Sequence, residues 1–405
     1  MSENLSTLTT ELDAFVHPYV GIVFPAIALS VFLRAEQVVN HAWGWIDPER
    51  QSQPTTVEAR FDFASVTKLF TTTALLTLLS EGAAGLDTPL VEIVPEFGAI
   101  TPRGTDGGQD PHTRQMLPIP PEHAGETVDP ARVTLFHLLT HTSGLPPWRA
   151  IFEAAGAAPP PPEQVDPAER GERWRRGLQA ICAYPIVGQP GDAVRYRDLG
   201  FMLLGEVVSR LHGTPGDPEP AIRARVSKPL RLDSLAFNPV QKGVPLSSIV
   251  PTEMDTLWRG RRAWGEVHDE NACGVGGVAG HAGLFGTADD VARFGQAWLD
   301  GAVPGVSPDL LTQATREHAV TEGERRGLGW MLRSYQGSSA GDLFAEDAYG
   351  HTGFVGNSLW IDPQERLIVA CMTNRVYYGR ANEGIIAFRR ALQDWLWQRL
   401  CRPQH

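Results

Sequence analysis

The pattern of apolar and polar positions predicts β-strands near both ends of the chain and helices between them. Short apolar runs bounded by turn residues are typical of strands, and one run, from Val20 to Leu33, is interrupted by Pro25 and followed by Arg34. The predicted strands cover residues 26–33, 37–45, 329–334, 354–361 and 367–373. Because consecutive strands without crossover helices pair antiparallel, we expect an α+β fold whose antiparallel sheet is built from both chain ends and flanked by helices.

Helical periodicity dominates the middle of the chain. The stretch from Leu69 to Leu79 is apolar on nearly all sides, which predicts a buried helix, and Gly82 and Gly85 end it. Other helices are predicted over residues 3–18, 133–141, 171–184, 197–212, 287–300 and 383–400. Segments rich in glycine, proline or charge predict surface loops, and they cover residues 101–130 and 157–168.

Two subdomains follow from this order of elements. Residues 1–64 and 326–405 are predicted to form the two parts of an α/β subdomain, and residues 65–325 form a mostly helical subdomain inserted between them. The chain of 405 residues, with 42% hydrophobic and 20% charged positions, has the composition of a globular protein that can bury a large core.

Charge and cysteine usage exclude several classes of partner. A formal net charge of −12 argues against binding to nucleic acid or to an anionic membrane surface. The longest apolar run is too short to span a bilayer, and the first residues lack the features of a secretory signal, so we expect a cytoplasmic protein. The cysteines are scattered and predict neither disulfides nor a metal site: Cys182, Cys273, Cys371 and Cys401. No cofactor is expected.

A serine and a lysine three residues apart are the first sign of chemistry. The chain has only three lysines, Lys68, Lys228 and Lys242, and the first follows Ser65 in a Ser-x-x-Lys motif. On a helix, residues three apart share a face, and a desolvated lysine, unlike arginine, can give up its proton near neutral pH. The alternative interpretation is that Ser65 only caps the helix while Lys68 is solvated.

A series of blocks in order resembles the serine β-lactamase and penicillin-binding family, in its class C branch, which includes esterases and D-amino-acid peptidases. The motif from Ser65 to Lys68 is followed by the block Leu138–Leu145, by Tyr196-Arg197-Asp198, by the glycine-rich block 280–290 and by His351-Thr352-Gly353. The resemblance covers about residues 25–373 and implies a β-lactamase/transpeptidase-like fold.

The resemblance implies a role for each matching residue. Ser65 is expected to be the acylated nucleophile, and Lys68 and Tyr196 are expected to move its proton. Sequence leaves open which of the two is the base, because they titrate as a pair. The backbone N–H groups of Ser65 and Phe354 are expected to form the oxyanion hole. Gly353 lacks a side chain, which lets substrate lie against its strand.

Two departures from the family pattern bear on the substrate. His351 stands where the family carries a lysine, and it is mostly neutral at pH 7, so a substrate carboxylate would lose a strong anchor. Asp198 stands in place of asparagine and adds a negative charge. The expected substrate-binding residues are Asp198, His351, Thr352, Gly353 and His268.

Other polar groups have structural and functional interpretations. His268 belongs to a polar cluster over residues 264–271, which we interpret as a structural loop network or, alternatively, as a substrate or metal site. His137 and His141 have the spacing of a zinc pair, but no glutamate follows His137, so we predict no metal. The chain has no Gly-x-Ser-x-Gly elbow, which argues against an α/β-hydrolase.

These observations lead to a hypothesis of function. We expect a serine hydrolase that works through an acyl-enzyme, an esterase or amidase/peptidase on small non-anionic substrates. Activity as a β-lactamase or as a D-alanyl-D-alanine carboxypeptidase of the penicillin-binding type is the alternative. A non-catalytic binding module on the same fold is the alternative of another class. The partner is thus a small ester, amide or lactam, and the sequence leaves the oligomeric state open.

Overall fold

The structure, a computed structural model, describes residues 2–111 and 113–402, so part of the predicted 101–130 loop and both extreme ends of the chain lie outside the described residues. The strands within these ranges are β1 (Ala26–Leu33), β2 (Glu36–Gly44), β3 (Phe61–Asp62), β4 (Arg103–Gly104), β5 (Thr127–Val128), β6 (Ala236–Phe237), β7 (Met254–Asp255), β8 (Arg261–Arg262), β9 (Leu284–Gly286), β10 (Ala319–Thr321), β11 (Glu324–Arg326), β12 (Met331–Leu332), β13 (Tyr349–Thr352), β14 (Ser358–Asp362) and β15 (Leu367–Thr373). The α-helices are α1 (Ser2–Val16), α2 (Thr67–Ser80), α3 (Leu90–Ile93), α4 (Leu135–Leu139), α5 (Ile151–Ala155), α6 (Arg170–Ala183), α7 (Asp198–His212), α8 (Glu219–Ile222), α9 (Glu270–Gly274), α10 (Ala288–Leu299), α11 (Pro308–Ala314) and α12 (Gly384–Leu400).

The central sheet joins both ends of the chain, as predicted. It has eight antiparallel strands in the order β10-β11-β12-β13-β14-β15-β1-β2, so the late strand β15 pairs directly with the early strand β1. Alternate residues of β1 enter two separate cores: Ala26 and Ala28 face the helical region, whereas Ile27 and Leu29 face α1 and α12. The prediction of an α+β fold with an antiparallel sheet from both chain ends is confirmed.

One predicted strand is partly wrong, and the difference matters for the site. Residues 354–357 belong to a tight turn that joins β13 to β14, and the Gly353 N–H donates to the Asn357 carbonyl oxygen at 2.8 Å. Gly356 in this turn has φ +123°, a conformation that favours glycine. Phe354 therefore lies just beyond the end of β13 and not within a strand. The predicted strand 329–334 is also shorter, since only Met331–Leu332 pairs.

The helical region surrounds a buried α2. Every described side chain of α2 from Thr67 to Leu79 is buried, because α7, α8 and the sheet-covering helix α10 enclose it. The predicted helices α6, α7, α10 and α12 are confirmed within two residues at each end, whereas the predicted helix 133–141 forms only the five residues of α4. None of the helices within the described ranges combines the length and apolar character needed to cross a membrane.

Candidate active site

Ser65 lies at the entrance to α2, in a short 3-10 turn formed by residues 64–66. Ala64, the residue before it, has φ +46°, an uncommon conformation for a residue with a side chain. Asp62 stabilises this bend because its carboxylate accepts hydrogen bonds from the Ala64 amide at 2.8 Å and from the His268 amide at 2.6 Å. The segment that carries Ser65, the predicted nucleophile, is therefore fixed by a buried carboxylate that the sequence analysis did not single out.

Lys68 connects the polar groups around Ser65. Its ammonium nitrogen lies 2.9 Å from Ser65 Oγ, 2.6 Å from Tyr196 Oη and 2.8 Å from Asp198 Oδ1, and the side chain is 0% exposed. An ammonium has three N–H donors, and these three oxygens accept all of them. The next oxygen, the His281 carbonyl, is more distant at 3.4 Å. Residue 196, which is distant in the chain, thus comes within hydrogen-bonding distance of the neighbouring pair 65 and 68.

The electrostatics of this cluster favour a protonated lysine and a neutral phenol in the resting enzyme. Burial alone would lower the pKa of Lys68, but the Asp198 carboxylate and Tyr196 together raise it above its ordinary value. Burial raises the pKa of Tyr196, and Lys68 opposes this effect without cancelling it. The lowering of the Tyr196 pKa by Lys68 is therefore the smaller of two opposing effects. Asp198 lies on the first turn of α7, and its carboxylate points toward the buried ammonium of Lys68, with which it forms an ion pair.

Three side chains surround the ring of Tyr196. The His141 ring centroid lies 4.8 Å from that of Tyr196, the His351 centroid lies 6.0 Å away, and the Arg326 guanidinium carbon lies 5.3 Å from the ring centroid. His141 Nδ1 accepts a hydrogen bond from the Arg197 amide at 3.1 Å. His137 instead completes a capping box with Thr134 at the start of α4. His141 therefore supports the segment before α7, whereas His137 caps α4. Within the described ranges, no group of three or more side chains could hold a metal ion.

The turn after β13 approaches the nucleophile segment closely. A Cβ added to Gly353 would lie 2.8 Å from the Phe63 carbonyl oxygen and 3.4 Å from the Ala64 Cβ, so only glycine fits at this position. The next residue, Phe354, lines the same cavities as Ser65. Among the described residues, no hydrogen bond occupies the amide N–H of Ser65 or of Phe354. The two amides are thus available to a substrate oxygen.

A cavity of about 430 Å³ lies on the β13 side of Ser65. It is bordered by His351, Thr352, Gly353 and four arginines, which are Arg326, Arg375, Arg380 and Arg389. His351 is buried, its Nδ1 lies 2.8 Å from the Thr352 carbonyl oxygen, and burial lowers its pKa well below the ordinary value. His351 is therefore a neutral imidazole, and the cations on this side come from arginines that the sequence analysis missed.

A second cavity, of about 300 Å³, lies on the helical side of Ser65. Its walls are apolar and acidic: Pro111, Pro147, Trp148, Phe354, Asp198, His268, Asp269 and Glu270 contribute, together with Arg380. His268 stacks on Phe354 with ring centroids 5.8 Å apart, and its Nε2 lies 2.8 Å from a Glu253 oxygen. Arg380 bridges Glu253 and Glu270. The polar cluster 264–271 is thus largely a loop network, although residues 268–270 also border the cavity.

Sequence alone gave no signal for Arg326 or Asp62. Arg326 follows two charged residues in a surface-like run, and only its position at the end of β11 brings it to Tyr196. Asp62 stands between Phe61 and Phe63, and a single carboxylate in an apolar run matches no known sequence motif. Arg380 forms its ion pairs with Glu253 and Glu270, which lie more than 100 positions away in the sequence.

Comparisons with known proteins agree with this geometry. The sequence model of the Beta-lactamase family matches residues 12–393. The chain is 28% identical over 394 residues to a protein of Escherichia coli (strain K12) named "Putative D-alanyl-D-alanine carboxypeptidase", covering 90% of this chain and 82% of the relative. A protein of Salmonella agona (strain SL483) with the same name is 27% identical over 396 residues, covering 92% and 83%.

Solved structures share the fold. EstCE1, described as a hydrolase with promiscuous acyltransferase activity, superposes with a TM-score of 0.70 at 17% identity, covering 96% of this chain and 99% of that one. The octameric penicillin-binding protein homologue from Pyrococcus abyssi gives a TM-score of 0.66 at 21% identity, covering 95% and 77%. The fold is therefore β-lactamase/transpeptidase-like. Since the family model spans nearly the whole chain, the protein belongs to the β-lactamase family and is a serine hydrolase.

Proposed function

We propose that this hydrolase cleaves small esters or amides through an acyl-enzyme on Ser65. The observation that carries the proposal is the contact of one buried ammonium, Lys68, with the oxygens of Ser65, Tyr196 and Asp198 at 2.6–2.9 Å. A proton leaving Ser65 has acceptors within hydrogen-bonding distance, and no large movement is needed to reach them.

Acylation needs a destination for the serine proton. Ser65 Oγ bonds to the substrate carbonyl carbon while the bond from that carbon to the leaving group breaks. Because Lys68 is already protonated and Tyr196 is a neutral phenol, Lys68 can take the Ser65 proton only as it passes one of its own to the Asp198 carboxylate, 2.8 Å away. The carboxylate at position 198, where the family usually has asparagine, gives this cluster an additional proton acceptor. The leaving group departs with a proton from the same cluster.

Deacylation reverses the proton path. A water molecule gives a proton to the cluster and attacks the acyl carbon, the bond from that carbon to Ser65 Oγ breaks, and Ser65 regains its proton. During both steps the carbonyl oxygen becomes negative, and the amides of Ser65 and Phe354 are the donors we assign to it. The positive end of α2 adds to this stabilisation.

The cavity on the helical side supports small, uncharged or amine-bearing acyl groups. Trp148 and two prolines offer an apolar wall, and the acidic side chains Asp269 and Glu270 beside it already have partners in His281 and Arg380. This wall disfavours an acidic acyl group. It therefore agrees with the expectation of non-anionic substrates and with the ester-cleaving chemistry of the acyl-enzyme.

A second candidate function is carboxypeptidase activity on peptides that end in D-alanine, as the names of the relatives suggest. Arg375 and Arg389 favour it, because their N–H groups donate to backbone carbonyl oxygens and, among the residues that the structure describes, neither is paired with a carboxylate. They make the β13 side of the cleft positive, which suits a terminal carboxylate. The predicted cytoplasmic location, which stays a prediction, favours the first candidate.

Covalent labelling and a substrate panel test the proposal. Purified protein is incubated with a p-nitrophenyl ester or a fluorophosphonate, and its intact mass is measured for the wild type and for Ser65→Ala. We expect an adduct only in the wild type. Turnover of short p-nitrophenyl esters, of a chromogenic cephalosporin and of a D-alanyl-D-alanine peptide then ranks the activities. Absence of any Ser65 adduct would reject the acyl-enzyme, and peptide turnover without ester turnover would favour the second candidate.

A further inference from the structure

The two cavities beside Ser65 leave one direction for the leaving group of a substrate. Ser65 and Tyr196 border both cavities, so a carbonyl carbon at Ser65 Oγ extends one substituent toward each. The proposed function assigns the acyl group to the helical side. The leaving group then enters the β13-side cavity of about 430 Å³, and the surface exposed there determines which leaving groups fit.

Phe354 is exposed where the two cavities meet. It is 40% exposed and borders both cavities, whereas the next residue, Val355, is buried. Neighbouring cations hold the ring in place: the Arg375 guanidinium carbon lies 4.6 Å from the ring centroid, and that of Arg380 lies 5.8 Å from it. A fixed aromatic ring that stays exposed beside Ser65 offers an apolar contact to a substrate.

Ile386 adds a second exposed apolar side chain. It lies on the first turn of α12, is 55% exposed and borders only the β13-side cavity of the two. Met331 of β12 is half-buried and borders the same cavity. Three apolar side chains from β12, from the turn after β13 and from α12 therefore surround one space. Each of them loses contact with water when an apolar group fills that space, and this loss favours binding.

The four arginines around this cavity are fixed by other parts of the protein. Arg326 and Arg380 pair with glutamates, while Arg375 and Arg389 donate to backbone carbonyl oxygens. All except Arg380 are buried, so they give the cavity positive charge but little of its exposed surface. Glu383, which is exposed in the same wall, offsets part of that charge. The surface that a leaving group can contact is therefore mainly apolar.

We propose that the β13-side cavity selects leaving groups by their apolar size and favours a large aromatic or branched group over a small one. The leaving group packs against the exposed parts of Phe354, Ile386 and Met331 while the scissile carbonyl lies at Ser65. The inference rests on the proposed acyl-enzyme function and adds a substrate class to it, esters and amides with a bulky apolar leaving group. Ile386 is then a specificity-determining residue that takes no part in proton transfer.

A pair of thioesters with one acyl group tests the inference with the full-length protein. S-(2-phenylethyl) thioacetate and S-ethyl thioacetate form the same acetyl-enzyme and release thiols of similar acidity, so their kcat/KM values differ through contacts of the leaving group. A chromogenic disulfide reagent follows the released thiol, and the rate of each thioester with hydroxide alone is divided out. We expect the phenylethyl thioester to be cleaved at least about tenfold more efficiently, because its ring buries apolar surface.

The Ile386→Asn variant locates this preference. It removes apolar surface without changing the charge, and Ala387→Asn is the matched control, at an adjacent exposed position of α12 that does not border the cavity. We expect the preference to fall by about fivefold in Ile386→Asn and to stay unchanged in Ala387→Asn. The kcat/KM ratio of p-nitrophenyl phenylacetate to p-nitrophenyl acetate, which reports on the acyl cavity, should stay within about twofold in both variants. A ratio between two substrates does not depend on how much enzyme is folded.

Several results would overturn the inference. Equal kcat/KM for the two thioesters in the wild type is one, and a preference that Ile386→Asn leaves intact is another. A changed ranking of acyl groups in Ile386→Asn would assign this side chain to the acyl portion instead. Failure to cleave both thioesters while p-nitrophenyl acetate still acylates Ser65 would also reject it. Absence of any Ser65 adduct would overturn the proposed function and the inference together, and the intact-mass measurement separates these cases.

Discussion

The two walls of the active-site cleft are built in different ways. The β13 wall is held by the backbone pairing of the sheet, in which His351 lies opposite Leu359 and Thr352 opposite Ser358. The helical wall comes from loops, and side-chain ion pairs hold it, such as His281 with Asp269 at 2.9 Å and Arg380 with Glu253 at 2.8 Å. A strand held by backbone hydrogen bonds can shift little without breaking the sheet. A loop wall held by ion pairs can instead be altered by replacing one side chain at a time.

We expect the two walls to control different properties of the enzyme: the β13 wall the rate of the chemical step, and the helical wall the choice of acyl group. In the proposed mechanism the groups assigned to the reacting carbonyl lie where the β13 wall touches the Ser65 segment, so their geometry depends on the sheet. The cavity that we propose for the acyl portion lies on the helical wall, where substitutions are expected to alter the shape of the pocket without moving the sheet. We therefore expect changes at the junction to reduce turnover for every substrate and changes on the helical wall to alter the ranking of substrates.

The largest effect is expected at the centre, where both walls meet. Lys68→Arg should reduce kcat/KM for all esters by about a thousandfold or more, because arginine keeps the charge but cannot pass on a proton. Initial-rate measurements on two unrelated esters check this, and Lys228→Arg is the matched control. Turnover near the wild-type rate would show that proton transfer does not involve residue 68.

A smaller but still uniform loss is expected at the β13 wall. In Gly353→Ala the new Cβ would lie 2.8 Å from the Phe63 carbonyl oxygen, which separates the turn from the nucleophile segment. We expect kcat to fall by about 10–100-fold with the ranking of acyl groups unchanged. Gly171→Ala, where an added Cβ meets nothing within 4 Å, controls for the loss of a glycine. A changed ranking with normal kcat would contradict the division between the walls.

The helical wall should respond selectively. Trp148→Ala removes an aromatic surface from the acyl cavity, so kcat/KM for p-nitrophenyl phenylacetate should fall by about tenfold while that for the acetate stays within about twofold. Leu257→Ala, at a side chain that is 87% exposed, is the control. Equal losses for both esters would place Trp148 among the residues that support the chemistry.

The smallest effect concerns the acid stability of the helical wall. Burial would raise the pKa of Glu253, but His268 and Arg380 outweigh it and lower the pKa to about 2 from 4.5. A depressed pKa contributes stability that is present above the unfolded value and is lost as pH falls from about 4.5 toward 2. Between pH 5 and pH 3 the Tm of the wild type should therefore fall more than that of Glu253→Gln, by about 2 °C. Identical pH dependence in thermal unfolding would count against this ion-pair network.

Sequence predicted the parts of this molecule that depend on local pattern or on ordered motifs. The strands β1, β2 and β15 and the helices α6, α7 and α12 follow from the apolar pattern, which in β1 and β15 is a continuous run that is buried on both faces. The convergence of Ser65, Lys68 and Tyr196 was expected only from the resemblance to a family. Their assigned catalytic roles, like the subdomain boundaries, stay predictions.

Contacts between segments that are distant in the sequence could not be predicted from the sequence alone. The turn at 353–357 was interpreted as strand because its apolar residues satisfy a strand pattern, while Gly356 determines the reversal. Asp198 was expected to act on the substrate, and only the start of α7 beside α2 turns it toward Lys68. Arg326 reaches the site through the pairing of short strands, whose register a two- or three-residue pattern does not specify.

The pairing of β1 with β15 has a consequence for synthesis of the protein. A chain emerging from the ribosome contains Ser65 early in its synthesis. The strand that completes the cleft, β13, begins only at Tyr349, and the late strands β14 and β15 hold it in place. Until then β1 has β2 beside it on one edge but lacks β15 on the other, so the sheet that packs against the helical region is incomplete. Such non-local closure is slow and exposes the nascent polypeptide to aggregation, so an unfinished chain lacks a complete cleft and is a natural client for chaperones.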